Sequence, residues 1–168
     1  MNKSIGFLTF AKFEGRRQIG SSKIRAEWLC KYWEDAEIFQ YGKKYDVVIY
    51  QKAYFVEHAK LFKGIKIFDV CDPDYFHFGY RTKEMIEEVD AITTSTERLA
   101  EAFRKFTNKP VICIPDRVDL SEHEMRKVHN EGDAKVITWY GYSQNFDLVV
   151  PALKFFIDLG LSMVIVSN

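Results

Sequence analysis

Proline and glycine are scarce in this chain of 168 residues, with four of the first and nine of the second. That excludes collagen-like and proline-rich low-complexity sequence. Hydrophobic residues make up 47% and aromatics 15%, so disorder is excluded as the main state. An excess of charge of either sign is also missing. Lys and Arg total 24, Asp and Glu total 24, and the formal net charge is zero. A general nucleic-acid coat or basic tail is therefore not expected, although a local basic pocket remains compatible. Cysteine is limited to Cys30, Cys71 and Cys113, an odd number set far apart in apolar runs. They read as reduced, mostly buried thiols of an intracellular protein. No CxxC occurs, and His58, His77, His123 and His129 form no recognised ligand set, so no metal site is expected. No run approaches the ~18 apolar residues of a membrane span. The start, MNKSIGFLTF, reads as a first strand rather than a signal peptide. The expected location is the cytoplasm, with peripheral attachment to a membrane as the other option.

What the chain does have is a regular alternation of two periods. Short apolar strands are expected at 5–10, 36–40, within YDVVIYQK, in KIFDVCD, and at 91–94 and 111–114. Between them lie helical patterns at about 23–33, 55–62, 81–89 and 97–106. In the first helix, Ile24, Trp28 and Tyr32 form one ridge and Leu29 and Trp33 the next, with Ser21 or Ser22 as candidate caps. The stretch 120–133 is polar and is the best linker, with Ser121 and Glu124 at capping-box spacing. A second start follows: a strand at 135–140, a helix from Val149 or Val150 to about Leu159, and a strand at 161–166. Pro151 sets that helix start, because a missing N–H costs little in a first turn.

Short β-branched strands separated by amphipathic helices predict an α/β fold with a mostly parallel sheet covered on both faces. Ligands of such sheets sit beyond the carboxyl ends of the strands. That rule selects the loops 12–22, 71–80, 94–97, 115–120 and 141–146.

The first loop, EGRRQIGSSKIR, carries Gly15 and Gly20 and leads into a helix start that can receive an anion. It matches neither GxGxxG nor the phosphate loop GxxxxGK[ST]. Arg25 falls near the middle of the apolar ridge, at about 100° per residue. A charge there is either paired with a carboxylate or reaches off the helix end toward phosphate or sugar. Arg16 and Arg17 read as solvated loop cations. The second loop, FDVCDPDYFHFG, offers Asp69, Asp72, Asp74 and His77. Carboxylates and an imidazole at a strand end can hold hydroxyls, hold a metal, or act as a general base. The alternatives are a turn with a capping Asp at Asp72 and a packing role for His77. The third, TSTE, places Ser95 at a helix start, where ordinary capping explains it equally well. No GxSxG elbow is present. Trp28, Trp33, Tyr75 and Phe76 are either stacking surfaces or core.

The order of these segments resembles the amino-terminal half of glycosyltransferases of the two-Rossmann-domain B fold, in particular the group 1 transferases that use nucleotide sugars. The resemblance rests on the glycine-bearing loop before GSSKIRAEWL, then DVVIYQK, VDAITTSTERLAEAF, ICIPDRVD and KVITWYGYSQNFDLVVPALKFF. It implies a Rossmann-like acceptor-side domain over 1–130 and the start of a truncated second Rossmann-like domain over 131–168, packed on the first sheet, exchanged with a neighbour or continued in a longer protein. It implies transfer of a sugar from a nucleotide-sugar donor to an acceptor hydroxyl, with no tightly bound cofactor and no required divalent metal. On the donor or phosphate side it places Gly15, Gly20, Ser21 and Arg25, with Gly141 and Asn145 in the second domain. Asp72 is the implied catalytic residue, and Asp69, Asp74, His77 and Ser95 fall on the acceptor side. In ICIPDRVD, Asp116 and Arg117 stand where the family commonly has Asn and Gly. A glycine there suits a positive-φ turn and an arginine does not, so the turn is expected to differ. The implied partners are a nucleotide sugar, a glycan or other hydroxyl acceptor, and a further domain or subunit that completes the donor side, with a homodimer as one arrangement. The alternative is a non-catalytic α/β interaction or glycan-binding module, and a small phosphate-binding enzyme is the third reading. On any of these the 168-residue chain alone is not expected to be a competent transferase.

Overall fold

A computed structural model describes residues 3–13, 15, 19–76, 79–122 and 131–167. The chain forms two compact units, Met1–Glu124 and Met125–Asn168.

The first unit is an α/β fold built on six parallel strands: β1 (Ile5–Thr9), β2 (Ala36–Ile38), β3 (Val47–Gln51), β4 (Ile65–Val70), β5 (Ala91–Thr94) and β6 (Val111–Cys113). Their order in the sheet is β2-β1-β3-β4-β5-β6. The order reverses between β1 and β3, so the crevice at their carboxyl ends is the topological switch point of the sheet. The helices are α1 (Phe10–Phe13), α2, α3 (Val56–Leu61), α4 (Gly79–Glu88) and α5 (Glu97–Arg104). Here α2 is a continuous helical run through Gly20–Ser22, Lys23–Glu27 and Trp28–Tyr32.

Alternation along the strands sends Leu8, Val48, Tyr50, Phe68, Val70 and Ile92 to one face, where they bury Met85, Ile86, Leu99 and Phe103 from α4 and α5. The other face carries Ile5, Phe7, Val47 and Ile49 and packs on Ala26 of α2. Helices thus cover both faces, in a Rossmann-like arrangement. Thr96 caps α5, its hydroxyl accepting from the Leu99 N–H at 3.2 Å. The TSTE segment is therefore an ordinary cap. At the other end of its neighbour, Lys109 Nζ donates to the carbonyls of Ile86, Glu87 and Val89 at 2.6–2.8 Å and closes α4.

Two local expectations about α2 are corrected. Neither Ser21 nor Ser22 caps it; the helix begins at Gly20 after an extended Ile19, with no side-chain cap. Its inner side is Ser22, Arg25 and Ala26, while Leu29, Tyr32 and Trp33 are exposed. The cause is a π-helical turn at Lys23–Glu27, closed by the Trp28 N–H on the Lys23 carbonyl. One wide turn shifts the phase of the residues after it relative to an unbroken 3.6-residue period, while Arg25 keeps its place over the sheet.

Gly64 enters β4 so tightly that a Cβ would run into the Asp46 carbonyl oxygen and the Phe62 ring. The same carbonyl accepts the Ile65 N–H at 2.9 Å. Gly64→Ala must displace backbone and is expected to cost about 1–3 kcal/mol or more, read as a lowered urea midpoint at unchanged m-value.

His58 stacks between Phe55 and Phe62, with ring centroids 5.5 and 5.8 Å away, and its Nδ1 is 2.8 Å from the Tyr50 hydroxyl. Burial lowers its pKa from the ordinary imidazole value. The folded state therefore favours the neutral ring. That stability is present above the unfolded pKa of about 6.5 and is lost as pH falls through the lower folded value. Thermal unfolding between pH 7.5 and 5 is expected to show this loss, and His58→Gln should flatten the slope.

The second unit has β7 (Val136–Gly141), α6 (Val150–Asp158) and β8 (Ser162–Ser167), with β7 and β8 paired in parallel in their own two-stranded sheet. Its helix begins at Val150 with Pro151 in the first turn. Val164, Ile165 and Val166 stay about half exposed, since one helix cannot cover two strands on both sides.

Candidate functional site

At the carboxyl ends of the strands the apolar pattern stops in one register line. Phe7, Ile49, Ile67 and Ala91 lie side by side across β1, β3, β4 and β5. One pleat further on, the line becomes Thr9, Gln51, Asp69 and Thr93. The first three are buried and polar, and each is partnered by what covers the strand ends.

Asp69 anchors the first cluster. Arg25 forks onto it, with Nε 2.8 Å from Oδ2 and Nη2 2.6 Å from Oδ1. Arg25 Nη1 reaches Asp116 Oδ1 at 2.5 Å and the Ile114 carbonyl at 2.9 Å. Thr93 donates its hydroxyl to Asp69 Oδ1 at 2.6 Å. Burial alone would lower the guanidinium pKa, but the hydrogen bonds and charges of Asp69, then Asp116, outweigh it and hold the pKa above its ordinary value. Of the two roles open to Arg25, the structure shows the paired one. Asp69 likewise is taken up by Arg25 and Thr93 rather than presented to solvent. Beside this pair a cavity of about 210 Å³ lies between α2 and the segment after β6, lined mainly by Ile24, Leu29, Trp33, Ile49, Ile67 and Ile114.

The segment leaving β6 is strapped along α2 by further pairs. Asp119 accepts from Lys31 Nζ and the Tyr32 hydroxyl, both at 2.7 Å, and these bonds, with those from Ser121, hold its carboxyl well below the usual carboxylate range. Glu122 accepts from Trp28 Nε1 at 2.9 Å and pairs with Lys23 at 2.6 Å. Arg117 does not adopt a positive φ, so the PDRVD turn avoids the left-handed backbone that a glycine would allow.

The second cluster faces outward at the mouth of β3 and β4. Lys52 follows β3 and has φ 51°, the one positive value for a non-glycine among the described residues. Its N–H bonds to the Asp69 carbonyl at 2.9 Å. Its Nζ lies 2.5 Å from Asp72 Oδ2, 3.5 Å from Asp74 Oδ2, and 5.6 Å from the centre of the Phe10 ring. Burial works to lower the Lys52 pKa, and Asp72, Asp74 and Cys71 together raise it above its ordinary value. Asp74 is buried and accepts from the Tyr54 hydroxyl at 3.0 Å. Burial raises its pKa against the opposing pull of Lys52 and Tyr54. Asp72 is different: its side chain is 54% exposed. It is a carboxylate held at one end and open at the other. Ser95 is buried and donates to the Cys71 carbonyl at 3.0 Å, which fixes the turn carrying Asp72. Partial burial pushes the Cys71 thiol up to about 12; Cys30, Cys71 and Cys113 are all half-buried, where mostly buried thiols were expected.

Among the expected site residues, the structure therefore brings Asp72, Asp74 and Ser95 together around one turn, with Asp69 and Arg25 paired on the neighbouring face of the sheet. Gly15 has φ +67° and is exposed, Gly20 opens α2, and Ser21 is half-buried beside it. In the second unit Gly141 closes β7, its missing Cβ making room for the Trp139 ring. Asn145 is exposed in a 3₁₀ segment, Ser143–Leu148. His77, Arg16 and Arg17 lie outside the described residues. Lys52, Tyr54, Gln51 and Asp116 were not singled out as site residues from sequence. The dipeptide Gln51–Lys52 ends the apolar run VVIY, a strand end outside the five selected loops; the same rule applied to that strand is the signal that finds it.

Among the described residues, no group of three or more His, Cys, Asp or Glu side chains is placed to hold a metal ion. No helix there is long and apolar enough to cross a membrane. Comparison with known protein-family models, with curated proteins and with solved structures finds no match.

Proposed function

We propose that this chain is the acceptor-side part of a glycosyltransferase that moves a sugar from a nucleotide-sugar donor to an acceptor hydroxyl. The observation that carries the reading is Asp72: an exposed carboxylate at the mouth of β3 and β4, one strand from the switch point, pinned by Lys52, whose own backbone is strained. In the proposed reaction the acceptor oxygen forms a bond to the anomeric carbon of the donor. The bond from that carbon to the phosphate oxygen breaks, and its electron pair leaves with the nucleoside diphosphate. The acceptor's proton passes to Asp72. Asp74 and Ser95 hold the turn on which Asp72 rides. Gly15, Gly20 and Ser21 are the proposed donor-side positions of the first unit. Arg25 serves there as a brace that fixes Asp69 and Asp116.

A specific observation favours a second reading, a non-catalytic glycan-binding module. Arg25 and Lys52 are each already paired with two carboxylates, which weakens both as holders of a leaving diphosphate. The protein isolated from its natural source separates the two. Incubated with a panel of nucleotide sugars and simple glycan acceptors, a transferase releases nucleoside diphosphate in step with a product heavier by one sugar. Binding of glycan with no such release, for every donor, assigns the module instead.

A further inference from the structure

Gln51 is fully buried at the end of β3. Its Oε1 accepts from Ser22 Oγ at 2.9 Å and from the Phe10 N–H at 3.4 Å. The Phe10 N–H can only donate, and this fixes which end of the amide is oxygen. Nε2 is thereby turned away from both, and it makes no hydrogen bond. A buried amide N–H without an acceptor is destabilising. Packing does not require it, because the preceding positions on that face, Ile49 and Ile67, are apolar. The next residue, Lys52, has the strained φ of 51°. Such strain persists only where the surroundings enforce it, and it collects at ligand clamps. Both anomalies fall on one dipeptide at the switch point. Phe10 ties them together, giving its N–H to Gln51 and its ring face to Lys52.

We infer that Gln51 is a specificity-determining residue whose Nε2 donates to a neutral oxygen of a saccharide bound in this crevice. Charge selects the neutral ligand. One ammonium, Lys52, stands among two carboxylates, Asp72 and Asp74. A phosphate would bring only acceptors to those carboxylates. A hydroxyl both donates to a carboxylate and accepts from Gln51. This deepens the proposed function and rests on it only for the class of ligand.

The side-chain amide pair of Gln51 is directly visible in a ¹⁵N–¹H spectrum of the full chain, assigned by its disappearance in Gln51→Met. Glucose, galactose, mannose and N-acetylglucosamine are titrated in turn, then inorganic pyrophosphate. The expected result is a saturable shift of the Gln51 pair with at least one sugar, and a Kd raised about tenfold in Gln51→Met. Gln51→Glu, which keeps an oxygen for Ser22 and Phe10 and replaces Nε2, should show the same loss and serves if the methionine variant does not fold. Sugar binding that moves the Asp72 backbone signal but leaves the Gln51 pair and the variants' Kd unchanged overturns the inference alone. So does a Gln51 pair that contacts a long-lived water and ignores every probe. A shift with pyrophosphate and none with sugars overturns the neutral-ligand argument, and no sugar binding at any signal overturns both this inference and the glycan reading beneath it.

Discussion

Arg25→Met is expected to lower the stability of the first unit by about 3–5 kcal/mol, because it leaves a buried carboxylate without its cation. Asp69 is 4% exposed and Arg25 6%, so water cannot replace the lost partner. The remaining bond, from Thr93, satisfies one oxygen of Asp69 and supplies no charge. The effect is read as a reduced urea midpoint, checked with the second unit's signals as a control. Two further variants identify the cause. Asp116→Ala should cost much less, since its side chain is 48% exposed and its loss leaves Arg25 still forked on Asp69. The double variant Arg25→Met with Asp69→Leu should lose less than the sum of the single losses, since removing both charges removes the uncompensated one. Equal costs for Arg25→Met and Asp116→Ala, or strict additivity, would show that the residue acts by packing alone.

That pair also marks where reading the sequence stops. The apolar runs VVIY and IKIFDV, each bounded by turn residues, locate β3 and β4 because a strand buried on both faces needs nothing else to specify it. Helix α6 starts at Val150 and carries Pro151 in its first turn, where a missing N–H costs little. Arg25 was legible as a charge on an apolar stripe, but its partners lie 44 and 91 positions away, and a partner at that separation is set by sheet order, which periodicity does not encode. The inner face of α2 was displaced for a local reason: a single π turn changes the phase of every residue after it, and no residue type announces such a turn. Asp72 and Asp74 were found from their place after a strand. Lys52 and Gln51 were not, although they occupy the equivalent place one strand over, because neither a lysine nor a glutamine at a strand end is chemically distinctive until its backbone angle or its unpaired amide is seen.

Asp72→Asn is expected to lower the rate of sugar transfer by about 10²–10⁴-fold, the range a positioned general base contributes. The substitution keeps the size of the side chain and an oxygen for Lys52, so the turn fixed by Ser95 and Asp74 should survive and the loss should fall on kcat. Lys52→Met tests the other half of the arrangement. Lys52 is a positioning residue: it touches Asp72 at 2.5 Å and holds it at the mouth of the crevice. Without it Asp72 is free to turn into solvent, so kcat should fall by about tenfold or more while the acceptor KM changes little. Lys52→Arg keeps the charge but widens the contact, and should recover part of that rate. Lys52→Gly gives a separate check, since glycine accepts φ 51° without strain. It should lose activity like Lys52→Met yet unfold at a higher temperature than Lys52→Met, which separates the strain at this position from the work of its ammonium. A Lys52→Met enzyme with full kcat, or an Asp72→Asn enzyme that loses only acceptor affinity, would move the proton acceptor away from this turn.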